Sequence, residues 1–300
     1  MVRTTDLIQS FYHMSFYDGK VVLIVGASEG LGLALVKHLA TCSTARVIAT
    51  SRSVAKIQKR MGELSYGNVT CASLDLEHDD ERIQADVNRI IGPEGKVDIL
   101  INCAGMGFRG VVLETSMPVH RRVFQVDYFG QVAVIKAVLS SWSRGAYTGH
   151  IIQVSSVQGY FGLGERAPYS AAKHALVGFI DSLRTECDSY PEAGGNRVTL
   201  VCPGYINTNH GANALTSDGS AYQRTDEATV SGYSPEYVAD QLLFRSARGE
   251  REIVIADAKV RILIKLRSLC SGLCFRMLRI RLTGKKQSFF KTVLHWLFSS

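Results

Sequence analysis

The stretch Lys20–Ala40, KVVLIVGASEGLGLALVKHLA, decides the fold. Its first seven residues form a β-branched apolar run without polar alternation, which is how a strand buried on both faces of a parallel sheet reads. Glycines at 26, 30 and 32 follow, and LALVKHLA then repeats with helical periodicity, so the stretch predicts strand, tight turn and helix. In that context glycines let the backbone approach a pyrophosphate, and the helix start presents free N–H groups to it. A purely structural glycine turn fits the same letters, so a second, independent signal is needed.

Outward from this stretch the chain alternates. ARVIAT (45–50) reads as a second strand, VAKIQKRMGEL (54–64) as a helix, VTCASLDL (69–76) as a third strand, DDERIQADVNRII (79–91) as a helix and VDILINCAG (97–105) as a fourth strand. Sequential strands joined by helical crossovers predict an α/β fold, a Rossmann-type doubly wound parallel sheet of about seven strands with helices on both faces. Ligands bind such sheets at the carboxyl ends of the strands, where Gly26, Ser51, Arg52, Asp75 and the run Asn102–Gly105 fall.

The second signal lies in SSVQGYFGLGERAPYSAAK (155–173). Tyr169 and Lys173 are four residues apart in a helical run, so both rise from one face. An ammonium one turn from a phenol favours the phenolate and draws a group of ordinary pKa near 10 toward the range useful for proton transfer. Ser156 follows the apolar strand HIIQVS (150–155), and its hydroxyl can hydrogen-bond the same substrate oxygen.

Together these motifs resemble the short-chain dehydrogenase/reductase family, in the right order from about residue 20 to 256. GASEGLG matches its glycine motif, implying cofactor contacts at Gly26, Ser28, Glu29, Gly30, Leu31 and Gly32. Asp75 matches the acid that holds the adenine amino group, with Leu76 beside it, and Asn102-Cys103-Ala104-Gly105 matches the Asn-Asn-Ala-Gly turn. Ser156, Tyr169 and Lys173 match the catalytic serine, tyrosine and lysine. CPGYINT (202–208) matches the Pro-Gly turn after the sixth strand, implying contacts from Pro203, Gly204, Ile206 and Thr208, the last to the nicotinamide carboxamide. The resemblance implies an oxidoreductase interconverting a carbonyl and a secondary alcohol, commonly as a dimer or tetramer. A membrane-associated branch of the family is the nearest in pattern. It implies a lipid-like substrate of the acyl-dihydroxyacetone phosphate, steroid or retinoid class and a place on the cytoplasmic face of the endoplasmic reticulum or on the peroxisome.

Two departures stand out. Asp127, in QVDYFG, replaces the family's asparagine, which helps hold a water linking the lysine to solvent. Glu29 stands where NADP-preferring relatives often carry a basic residue, yet Arg52 sits where a guanidinium would grip a 2′-phosphate, and no acid at Thr50 or Ser51 is present to hold free ribose hydroxyls. The balance favours NADP(H), with NAD(H) as second choice. The rival to an enzyme is a weakly active dinucleotide-binding scaffold or sensor, against which the intact Ser156, Tyr169 and Lys173 argue.

Composition bounds the rest. The 300 residues, 46% hydrophobic with 6 prolines, suit an ordered chain with a sizeable core, and seven scattered cysteines form neither a disulfide framework nor a metal pattern. Residues 1–19 are broken by polar groups, so no cleavable leader is expected, and no uncharged apolar run reaches spanning length. Residues 259–300 hold ten Lys or Arg and no acid, leaving 24 basic against 27 acidic groups in the remainder. The expected organisation is therefore an extension (1–19), a catalytic domain (20–258) and a basic amphipathic tail (259–300). In the tail Arg261, Lys265, Arg276 and Arg279 project beside a stripe of Ile262, Leu266, Leu269, Leu273, Met277 and Ile280, with Phe289, Phe290, Trp296 and Phe298 as interfacial anchors. That pattern fits peripheral attachment to an anionic membrane or a cap over the substrate cleft. Nucleic acid is not an expected partner, since no reading motif accompanies the charge.

Overall fold

The computed structural model describes residues 14–62, 67–92, 96–189 and 195–283. Seven strands, β1 (Val21–Val25), β2 (Arg46–Ser51), β3 (Val69–Ser73), β4 (Ile99–Asn102), β5 (His150–Val154), β6 (Arg197–Pro203) and β7 (Glu252–Ile255), form one sheet in the order β3-β2-β1-β4-β5-β6-β7. Every pairing is parallel.

All five residues of β1 are buried. Val21, Leu23 and Val25 join the apolar cluster on one face of the sheet, and Val22 and Ile24 join the other, as the period-two alternation of a strand requires. Ile83, Val134 and Ile180 bring the helices Asp80–Ile91, Gly130–Gly145 and Ala167–Ser189 onto the first cluster. Leu35, Leu39 and Leu242 bring Gly30–Cys42 and Pro235–Ala247 onto the second. With both faces covered, the strands can be continuously apolar. The chain leaves β1 toward β2 and β3, then returns to build β4 on the other side of β1. The strand order reverses there, and a cleft opens over the carboxyl ends of β1 and β4.

Two flanking regions pack more closely than the sequence suggests. Tyr17 is fully buried, and its hydroxyl donates to Leu243 O at 3.0 Å, so residues just before β1 are tied to the Pro235–Ala247 helix. The tail, which reads as one amphipathic helix, forms two, Ala258–Leu269 and Ser271–Thr283, because the backbone at Cys270 leaves the helical region (φ −148°, ψ 74°). That turn lets Leu263 and Cys274 pack with Val157, Phe161 and Ala256 of the domain, burying surface that a straight helix would carry past it. Phe289, Phe290, Trp296 and Phe298 lie outside the described residues. Among the described residues, the helical stretch Met117–Gly145 is long and apolar enough to cross a bilayer by composition, but half of its apolar window is buried inside the domain.

Candidate active site

The glycine turn is built by close approach. Gly26 has φ +90°, a region that side chains disfavour, and its N–H and that of Ala27 donate to Thr50 O at 2.9 and 2.8 Å. A Cβ on Gly26 would stand 2.6 Å from Ala104 Cα, and one on Gly32 only 2.1 Å from Gly26 O. The turn, the β4 end and the first turn of the Gly30–Cys42 helix are thus in contact with no side chain between them. Glu29, the residue before that helix, makes no side-chain cap bond, so the first N–H groups remain available to an anion. The segment after β6 closes the turn from above, with Thr208 Cγ2 3.1 Å from where a Gly30 Cβ would be.

A cleft of about 700 Å³ runs from this turn in both directions. Toward β2 it is lined by Arg52, Ser53, Lys56, Asp75 and Leu76. Arg52 lies 2.6 Å from Glu77, which also accepts from Arg122 at 2.8 Å, so two guanidinium groups share one carboxylate. Arg122, through its hydrogen bond, is the main cause that Glu77 sits below the usual carboxylate range. Glu29 is itself offset by Arg60 at 3.4 Å and accepts from the Asn213 amide at 2.7 Å. This end therefore carries net positive charge. Together with the glycine cradle and the open helix start, it fits a dinucleotide, with Arg52 and Lys56 placed for an extra phosphate on the adenosine ribose.

The other end brings together the candidate acid/base residues. Ser156 follows β5, and its Oγ accepts from Gln158 N at 3.1 Å. Tyr169 and Lys173 rise one turn apart from the Ala167–Ser189 helix, which the Ser155 hydroxyl ties to the sheet by donating to Lys173 O at 3.1 Å. Ser156 and Tyr169 both line the cleft at this end. Lys173 Nζ lies 5.6 Å from the centre of the tyrosine ring and 3.7 Å from Asp127 Oδ1, and both members of this ion pair are buried. Asp127 occupies a π-helical segment, Gln125–Phe129, that interrupts the Met117–Gly145 helix and turns its carboxylate toward Lys173. Its Oδ1 also accepts from Met106 N at 2.7 Å.

The electrostatics differ from the simple expectation of a lysine-acidified tyrosine. Burial raises the Tyr169 pKa, Lys173 and the nearby Ser156 side chain lower it, and Asp127 raises it again, with a net upward shift. Tyr169 therefore holds its proton at neutral pH, which suits it to give that proton away. Burial also lifts Asp127, to about 6, against the pull of Lys173 and the Met106 N–H. Because the Asp127 charge holds the phenol pKa up, Asp127→Asn is expected to move the Tyr169-dependent limb of the pH–rate profile to lower pH, with the rate at the optimum changed by less than about tenfold. An unchanged profile in the variant would show that the carboxylate has no electrostatic hold on the tyrosine.

Most residues singled out in the sequence meet in this cleft: Gly26, Ser28, Glu29, Gly30, Leu31, Gly32, Arg52, Asp75, Leu76, Ala104, Gly105, Ser156, Tyr169, Lys173, Pro203, Gly204, Ile206 and Thr208 all line it. Asn102 does not. It is fully buried, and its amide donates to Gln131 O at 3.2 Å within a polar network that includes Gln153, so it braces the end of β4 behind the cofactor groove. Asp127, fully buried, touches Lys173 and not the cleft wall. Motif reading missed Lys56, Arg109, Phe161, Leu163, His210, Val260 and Arg281, which line the cleft from separate segments with no shared spacing. The tail helices supply two of these, and Arg281 donates to the Tyr205 hydroxyl at 2.8 Å.

A family model described as short chain dehydrogenase matches residues 20–218. The chain is 42% identical over 267 residues to "Dehydrogenase/reductase SDR family protein 7-like" of Drosophila melanogaster, covering 86% of this chain and 78% of that protein. It is 35% identical over 292 residues to "Dehydrogenase/reductase SDR family member 7B" of Bos taurus, covering 94% and 87%. Among solved structures, a Burkholderia phymatum short chain dehydrogenase/reductase in complex with NAD superposes with a TM-score of 0.73 at 22% identity, over 86% of this chain and 95% of that one. The sheet order, the glycine turn that opens the cleft and the match over two thirds of the chain agree, and the protein belongs to the short-chain dehydrogenase/reductase family.

Proposed function

We propose that the protein is an NADP(H)-dependent oxidoreductase that interconverts a carbonyl and a secondary alcohol on a lipid-like substrate. The observation that carries this reading is the meeting of Ser156 and Tyr169 with the buried Lys173 in the cleft that the glycine turn opens. Bound nicotinamide dinucleotide would supply or accept the hydride. Gly26, Gly30, Gly32 and the N–H groups after Glu29 would hold its phosphates, Asp75 its adenine and Thr208 the far end. Ser156 donates to the substrate oxygen and Tyr169 passes its proton to that oxygen as charge develops there. Lys173 keeps the resulting phenolate in favourable company.

The apolar wall of Val157, Phe161, Leu163 and Val260 at the substrate end supports a lipid-like substrate, in the range of acyl-dihydroxyacetone phosphate, steroids and retinoids. Preference for NADP(H) rests on Arg52 and Lys56 and on the lack of an acid at Thr50 or Ser51, the end of β2. The test is hydride transfer to a panel of ketones and aldehydes with each cofactor, NADPH outperforming NADH. In Arg52→Ala, NADPH binding is expected to weaken by about 1.5–3 kcal/mol more than NADH binding, the worth of a hydrogen bond to a charged group. Absence of turnover across the panel would overturn the enzyme reading, and a wild-type preference for NADH the cofactor assignment.

The outer surface of the tail supports peripheral attachment to an anionic membrane, with the endoplasmic reticulum or peroxisome as the site. Ile262, Leu269, Phe275 and Leu282 are exposed among the basic residues Lys265 and Arg279, while the inner surface of the same helices roofs the cleft. Each cation near an anionic leaflet contributes on the order of 1 kcal/mol. The protein is expected to sediment with phosphatidylserine-containing vesicles at low salt and to be only partly released at high salt. Lys265→Glu with Arg279→Glu should release most of it without unfolding the domain. Wild-type protein remaining in the supernatant at low salt would leave the helices as a cap alone.

A further inference from the structure

The reacting end of the cleft holds polar side chains that neither cofactor binding nor proton transfer uses, and His210 is among them. His210, in the loop after β6, lies with its ring centroid 5.9 Å from that of Tyr169. Its backbone N–H donates to Thr208 Oγ1 at 3.3 Å, which anchors the residue to the segment closing over the glycine turn. Its Nε2 lies 3.2 Å from where a Cβ of Gly107 would be and its Cε1 3.7 Å from that of Gly105, so the imidazole fills room that those two glycines leave open. The neighbouring cations are already engaged. Arg109 donates from Nε and Nη2 to Asp226 and from Nη1 to Phe108 O, Arg166 also binds Asp226, and Arg281 is turned to Tyr205. The ring nitrogens of His210 make no such bond among the described residues. Enclosure in the cleft, with Lys173 and Arg109 adding repulsion, lowers the His210 pKa to about 4, and a neutral imidazole offers one donor and one acceptor.

We infer that His210 contacts the substrate, its imidazole hydrogen-bonding an oxygen substituent next to the carbonyl that Tyr169 protonates, so that the enzyme favours α-oxygenated ketones over plain hydrocarbon ketones. This rests on the reductase reading and narrows it. Arg109 and Arg166, held by Asp226, shape that corner without reaching for the ligand, so a neutral hydroxyl or ether oxygen suits the position.

The test compares 2-decanone with 1-hydroxy-2-decanone, using NADPH and the full-length protein. The wild type should favour the hydroxyketone in kcat/KM. His210→Ala should lose about five- to tenfold on the hydroxyketone, the worth of one neutral hydrogen bond, and less than twofold on 2-decanone. His210→Asn, which keeps a donor and an acceptor on a shorter stem, should recover part of the loss. An equal loss on both ketones would show a merely structural histidine and overturn the inference, as would no loss on either. Should the wild type reduce neither ketone, the reductase reading fails by itself. Calorimetric binding of the two ketones to the NADP-loaded protein then decides for His210, whose role requires tighter hydroxyketone binding that His210→Ala abolishes.

Discussion

Tyr169→Phe loses roughly 10²- to 10⁴-fold in turnover while keeping its affinity for the dinucleotide, the expected result for removing one proton-transferring group. The ring stays, so the packing of Tyr169 against the apolar cluster on its face of the sheet and its approach to Lys173 are preserved. What goes is the hydroxyl that would deliver the proton to the substrate oxygen. Neither Lys173 nor His210 beside it can take over. Lys173 is buried and held by Asp127, and His210, with its pKa near 4, carries no spare proton to give at neutral pH. The measurement is kcat with the best ketone of the panel beside a nucleotide titration by fluorescence. Turnover within a few-fold of wild type would move the acid/base role off Tyr169, and a collapse of nucleotide affinity would show that the ring, not the proton, was the loss.

Gly32→Ala should weaken nucleotide binding and destabilise the fold together. The new methyl would be built 2.1 Å from Gly26 O and 2.8 Å from Gly26 C, both backbone atoms, so no side-chain rotation relieves the clash. Moving Gly26 away pushes it into Ala104, which a Gly26 Cβ would already meet at 2.6 Å. The turn must open or the helix must retreat from the sheet, at a cost of about 1–3 kcal/mol for overpacking a tight site. The same shift spoils the phosphate cradle. Gly178→Ala is the control. It lies within the Ala167–Ser189 helix with nothing inside 4 Å of its added Cβ, so it should be neutral or stabilise by about 0.4–1 kcal/mol through the unfolded state. Thermal unfolding and nucleotide titration of the two variants check this, and parity between them would contradict the close approach.

Between them these variants mark how far local pattern reaches. KVVLIVG followed by glycines and LALVKHLA determined a buried strand, a tight turn and a helix without further help, because each signal is a repeat along the chain: β-branched run, φ-permissive residues, 3.6-residue period. Repeating strand and helix then determined a parallel sheet, and with it which ends of which strands carry the cleft. The four-residue spacing of Tyr169 and Lys173 and the place of Ser156 after an apolar strand were legible for the same reason. The direction of the Tyr169 pKa was not. It is a sum over burial, Lys173, Asp127 and Ser156, and burial, which only three-dimensional packing decides, outweighs the lysine. Nor was the fate of Asn102, whose motif position matches a cofactor contact but whose side chain points into the sheet end. The break at Cys270 depends on tertiary packing in the same way, since apolar residues of the tail gain more by folding back over Val157 and Phe161 than a continuous helix would let them. His210, Arg109 and Arg281 come from three segments with no common period, and no repeat along the chain could join them. Sequence alone determined the sheet, the glycine turn and the grouping of Ser156, Tyr169 and Lys173, each encoded in residues near one another. The substrate end was decided by tertiary structure, because it is assembled from side chains that only folding brings together.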